Sequence, residues 1–156
     1  MWACALATIA VLAGCSPEFR PTAAPTVAET RTFIAEMVRL AQAGAFEQLC
    51  EMGGGNCEDI LANAGAENVP ADPPMVARIY EVPSVRHADG SWSQGGQMVE
   101  MCGTDGSGEP YQSQMIVFRD PHEGIIAIEP IYWSGLGIIA GTEQPEAGPG
   151  EPAFEC

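Results

Sequence analysis

Between residues 75 and 133 the chain carries four extended apolar runs separated by turn-forming breaks, with no helical period between them. The runs are 75–82, 97–102, 111–119 and 125–133. The last two contain Met115-Ile116-Val117-Phe118 and Ile125-Ile126-Ala127-Ile128. Asp89-Gly90, residues 103–110 and the stretch from Asp120 to Gly124 supply the breaks, all of turn-forming composition. Parallel neighbours need a crossover of about a dozen residues or more, usually a helix, and none is present. The runs therefore predict an antiparallel meander of about four strands.

Helical signals precede the strands. Thr26 and Glu29 form a capping box directly after Pro25. Phe33, Met37, Leu40 and Ala41 then follow the spacing of one buried helical face, widened by Ile34 and Val38. Gly44 supplies the stop. A shorter helix is expected from Cys57, with Asn56 as cap and Gly65 as its end; Phe46, Leu49, Ile60 and Leu61 would pack on the first helix. Helices followed by a meander make the fold class α+β.

The 156 residues contain 21 acidic and 6 basic side chains, for a net charge of -15, and no lysine. Phosphate binding needs clustered Lys or Arg, so nucleic acid is excluded as a partner class. Electrostatic docking on an anionic bilayer is disfavoured for the same reason.

Residues 1–14 are uncharged, and residues 5–13 form an apolar run broken by one Thr, the length of a signal-peptide core and too short to span a bilayer. The run ends in Leu12-Ala13-Gly14-Cys15. These four residues resemble the lipobox of bacterial lipoproteins. The resemblance implies removal of residues 1–14 and attachment of diacylglycerol to Cys15. The anchored chain would then sit on the extracytoplasmic face of a cell membrane. Several acyl chains on one residue give stable anchoring where a single chain is marginal. In one respect the segment departs from such signals: no basic residue precedes Arg20. Residues 15–25, with Pro17, Pro21 and Pro25, read as an extended tether. Residues 26–141 form the α+β domain. Residues 142–156, rich in Pro, Gly and Glu, read as an acidic tail.

With Cys4 removed and Cys15 lipidated, Cys50, Cys57, Cys102 and Cys156 remain, an even number in an oxidising compartment. Four cysteines allow three pairings. Cys50–Cys57 closes a short Gly-rich loop and leaves Cys102–Cys156 to hold the tail. Cys50–Cys102, tying helix to sheet, competes with it. Without CxxC pairs or a histidine near a cysteine, the spacings give no zinc signature, and no metal or cofactor is expected.

The order of elements from Thr26 to Trp133 resembles the NTF2-like and cystatin-like folds found among exported bacterial lipoproteins. That resemblance implies a long helix lying in the concave face of a curved sheet. Phe33, Met37, Tyr80, Phe118 and Trp133 then either line an apolar pocket between helix and sheet or fill the core. Arg78, Arg86 and Arg119 lie in or beside strands, where one of them would anchor an anionic group. Gly53-Gly54-Gly55 reads as a loop, since no strand precedes it and no Lys-Ser/Thr follows. Asp105-Gly106-Ser107-Gly108-Glu109 reads as a polar turn without the ligand spacing of a calcium loop. His87 and His122 fall at turns, and no nucleophile elbow occurs, so no catalytic residue is assigned. The expected function is a binding or accessory module for a cell-envelope partner or a small apolar ligand. The alternatives are an NTF2-like isomerase or hydrolase and a purely structural envelope protein.

Overall fold

The computed structural model describes residues 21–54, 57–135 and Cys156. The expected signal peptide, Cys15, residues 16–20 and tail residues 142–155 lie outside these described residues.

Helix α1 (Val27–Gln42) starts where the capping box requires. The Glu29 backbone N–H donates to the Thr26 hydroxyl at 3.2 Å, and the Thr26 N–H donates to the Glu29 carboxylate at 2.8 Å. Its buried stripe holds Phe33, Ile34, Met37, Val38, Leu40 and Ala41. Gly44 takes a φ of +68°, the left-handed conformation that ends the helix without a Cβ clash. Two short helices follow, α2 (Phe46–Glu51) and α3 (Cys57–Ala64), then a 3-10 turn (Ala66–Asn68). Helix α3 lies where the sequence predicts it, whereas α2 has six residues, too few to show a helical period. Cys50 and Cys57 form a disulfide across the α2–α3 junction, and Cys102 pairs with Cys156.

The main sheet is antiparallel, ordered β1 (Met75–Val82), β4 (Gly96–Thr104), β5 (Pro110–Asp120) and β6 (Gly124–Ala127). Strands β2 (Val85–Arg86) and β3 (Trp92–Ser93), each too short to show an alternating pattern, form a separate two-stranded ribbon in addition to the four expected strands. Val99, Met101, Met115, Val117 and Ala127 face the helices and join the α1 stripe and Leu49 in one core. Each fully buried apolar side chain of this size contributes about 1.5–3 kcal/mol. Met98, Glu100, Ile116 and Ile126 face the opposite side and are buried there, so β4 and β5 are covered on both faces.

The run expected over 125–133 is a strand only to Ala127. Pro130 lacks a donor for a sheet ladder, and the chain turns there. Ile131, Tyr132 and Trp133 then fold into the core, where the Trp133 indole donates to the Gly65 carbonyl at 3.1 Å. The outer edge of β6 is closed by the Gly-rich loop. Gly54 N–H donates to Ala127 O at 3.1 Å, and Ala127 N–H donates to Met52 O at 3.0 Å. Gly53 bridges Ala127 in parallel. This pairing satisfies backbone groups that an open edge would leave exposed.

The last residues of the expected tether lie on the domain. Pro25 is fully buried. The Gln97 amide donates to the Pro25 carbonyl at 3.0 Å, and the Thr22 hydroxyl donates to the Arg119 carbonyl.

Candidate functional site: an apolar groove rimmed by arginines

The five residues expected to line one pocket do not converge. Phe33, Met37 and Trp133 belong to the packed core between helices and sheet. Tyr80 and Phe118 lie on the opposite face of the sheet, half-buried. The register explains the split. Tyr80 pairs with Met98 and Met98 with Ile116, a residue of the outer face, and Phe118 lies two positions beyond Ile116. One alternation of the strand thus sends Tyr80 and Phe118 away from the helix. Their apolar character alone could not reveal the face.

The turns behave as their composition implies. The Asp105 carboxylate accepts from the Ser107 N–H, the Ser107 hydroxyl and the Glu109 N–H. Asp120 accepts from the backbone of His122 and Glu123. These bonds, Ser107's for Asp105 and His122's for Asp120 foremost, hold both carboxyls below their usual range. His122 is exposed, as is His87, whose Nε2 lies 2.6 Å from the Ser93 hydroxyl. Inside the core, burial pushes the Tyr132 phenol up to about 12 and raises that of Tyr111 further. Among the described residues no cluster of His, Cys, Asp or Glu is arranged to hold a metal ion.

An open groove of about 380 Å³ runs between α1 and the segment leading into β1. Ile34 and Val38 on α1 form its floor, and Pro73, Pro74 and Val76 form the facing wall. Ala35 also lines it, at an exposed position. The wall is stiff because two successive prolines fix their φ angles and hold the chain extended. The Gln42 amide donates to the Ala71 carbonyl at 2.9 Å, tying the end of α1 to that wall.

Arg31 and Arg39 stand on the rim. Spacings of three and four residues along α1 put Arg31 beside Ile34 and Ala35, and a spacing of four puts Arg39 beside Ala35, on the flank next to the buried stripe. Arg39 is held by Glu36 through contacts of 2.8 and 2.6 Å. Arg78 pairs with Glu100 and Arg119 with Glu29, while the Arg86 guanidinium lies 6.0 Å over the Trp92 ring. Arg31 has no ion pair among the described residues, in a chain with 21 acidic side chains. The sequence signal that would have found the groove was the flank of α1 beside its core stripe, together with Pro73-Pro74. A second hollow, of about 530 Å³, lies between α2 and α3 and is rimmed by Glu47, Glu51 and Glu58.

No known protein family, curated protein or solved structure matches this chain.

Proposed function

We propose that this chain is an exported binding module, anchored through a lipidated Cys15, whose α1–β1 groove holds a small apolar molecule carrying one anionic group. The observation that carries the reading is the chemistry of the lining. The polar side chains that line it are Arg31, Arg39 and Gln42, and none of the lining residues carries a carboxylate, imidazole, thiol or hydroxyl; the Glu36 carboxylate that holds Arg39 is not part of the lining. A guanidinium stays protonated at any ordinary pH and cannot shuttle protons. Such a lining can bind and orient a ligand, but it holds no group for acid–base or nucleophilic work. The anionic preference follows from Arg31, a cation at the mouth of an apolar groove with no ion pair among the described residues. The NTF2-like relationship belongs to the same proposal and rests on resemblance in element order alone. The lipobox-like Leu12-Ala13-Gly14-Cys15 supports export and anchoring, with a cell-envelope protein as the natural consumer or donor of the ligand.

The test is fluorescence titration of the full chain with two probes of similar shape. One is 1-anilinonaphthalene-8-sulfonate, which is anionic; the other is neutral N-phenyl-1-naphthylamine. Ala35→Trp, at an exposed position on the rim, should abolish saturable binding of both. Arg31→Glu should weaken the sulfonate by about fivefold to tenfold and leave the neutral probe unchanged. If neither substitution moves either probe, the groove is not the binding site.

A further inference from the structure

We infer that the β2–β3 ribbon is the part of the domain that rests on the lipid headgroups; this builds on the reading of Cys15 as the lipid anchor. The first observation is where the chain leaves the domain. The Gln94 amide donates to the Thr22 carbonyl at 3.3 Å and lies 3.2 Å from the Thr22 hydroxyl. Gln94 follows β3 directly, so the chain departs toward Cys15 from beside the ribbon. Six residue steps separate Cys15 from Pro21. Fully extended, they reach about 22 Å. The 16 residues of α1 alone span about 24 Å. A leash shorter than the domain cannot let it turn over, so the end bearing Thr22 and the ribbon faces the bilayer.

The second observation is charge. Residues 83–95 contain one arginine, Arg86, and one aspartate, Asp89, so this stretch is neutral in a chain of net charge -15. It is a part of the surface that headgroups repel least. Asp120 and Glu123 flank it in the β5–β6 turn, next to the Arg119 carbonyl that binds Thr22. The surface therefore suits zwitterionic headgroups and is repelled by anionic ones.

The third observation is side-chain chemistry. Trp92 and Arg86 are cross-strand partners, with the guanidinium over the indole ring. Val85, beside Arg86, is 47% exposed. An indole with an apolar body and a polar N–H, next to an arginine with a long apolar stem, belongs at a water–lipid boundary.

The experiment uses the full chain made in a host that lipidates such signals and reconstituted in phosphatidylcholine vesicles whose acyl chains are brominated near the headgroup. Intact mass and co-flotation report the anchor. Tryptophan emission reports the ribbon, because removal of residues 1–14 leaves Trp92 and Trp133, and Trp133 is buried with its N–H on Gly65. Bromolipid should quench the Trp92 share of the emission and leave that of Trp133. Trp92→Phe should remove the quenched share, with unchanged Trp133 emission verifying the fold. Replacing half the lipid with phosphatidylserine should reduce the quenching. An acylated, vesicle-bound protein without Trp92-dependent quenching overturns the orientation and leaves the anchor standing. A protein that carries no acyl mass and does not float overturns the anchor reading, and the orientation with it.

Discussion

The Arg78 guanidinium grips the Glu100 carboxylate through hydrogen bonds of 2.8 and 2.9 Å, although the Arg78 side chain is 60% exposed and that of Glu100 only 1%. The carboxylate also accepts from the Gln114 amide at 3.1 Å and the Tyr80 hydroxyl at 3.3 Å. The Arg78 guanidinium lies 4.7 Å over the Tyr80 ring. Glu100 is thus a buried charge whose counter-ion reaches it from the surface. Arg78→Ala should cost about 2 kcal/mol, less than the ~3–5 kcal/mol of a fully buried pair, because water enters where the guanidinium lay. Glu100→Gln in the same background should recover most of the loss, since a neutral amide needs no counter-ion. A double-mutant cycle by urea unfolding checks both statements. Equal losses in the single and double variants would show that Arg78 acts through packing alone.

Glu29 joins the first turn of α1 to the end of β5. The Thr26 backbone hydrogen bond, then the Arg119 side chain at 2.9 Å, hold its carboxyl down to about 2 from an ordinary 4.5. A lowered pKa means that the stabilisation is complete above about pH 4.5 and is lost as pH falls toward 2. Melting temperature should therefore fall across that window. In Glu29→Gln the fall should be shallower, because the carboxylate that binds protons on unfolding is gone. Identical pH profiles for the two proteins would count against the role given to Glu29.

Gly53 serves the edge of the sheet, bridging Ala127. A Cβ there would come within 2.5 Å of Pro130 Cδ and 3.2 Å of Ala127 O. Gly53→Ala should thus cost about 1–3 kcal/mol through overpacking. Gly54→Ala, where a Cβ meets nothing within 4 Å, should be close to neutral by the same chemical denaturation assay. Equal effects at the two positions would remove the steric explanation.

The two disulfides close loops of different length, with separations of 7 and 54 residues. In the chain-entropy model their loss costs about 2.5 and about 4 kcal/mol respectively. Cys50→Ser with Cys57→Ser should accordingly be milder than Cys102→Ser with Cys156→Ser, compared by unfolding midpoint. The reverse order would place the contribution of Cys50–Cys57 in the native junction of α2 and α3 instead of in the unfolded chain.

Features of this protein that depend on neighbours within a few residues were legible in the sequence. The Thr26–Glu29 box, the α1 stripe, the Gly44 stop, strand β1 and the turns at Asp105 and Asp120 all rest on capping, periodicity and local backbone preference. The pairing of Cys50 with Cys57 likewise closes a short flexible loop within seven residues. Features that depend on which distant segments meet were decided by the tertiary structure. Arg78 meets Glu100 through the register of β1 on β4, which shifts between Val76 and Arg78. Arg119 meets Glu29 across 90 residues of chain. The groove exists because α1 packs with one flank toward Pro73 and Pro74, and neither wall announces the other. Tyr80 and Phe118 turned away from the helix because side chains alternate along a strand, so register alone sets which face each residue takes. Composition identifies an apolar residue as a candidate for burial, and the pairing of strands selects the side on which it is buried.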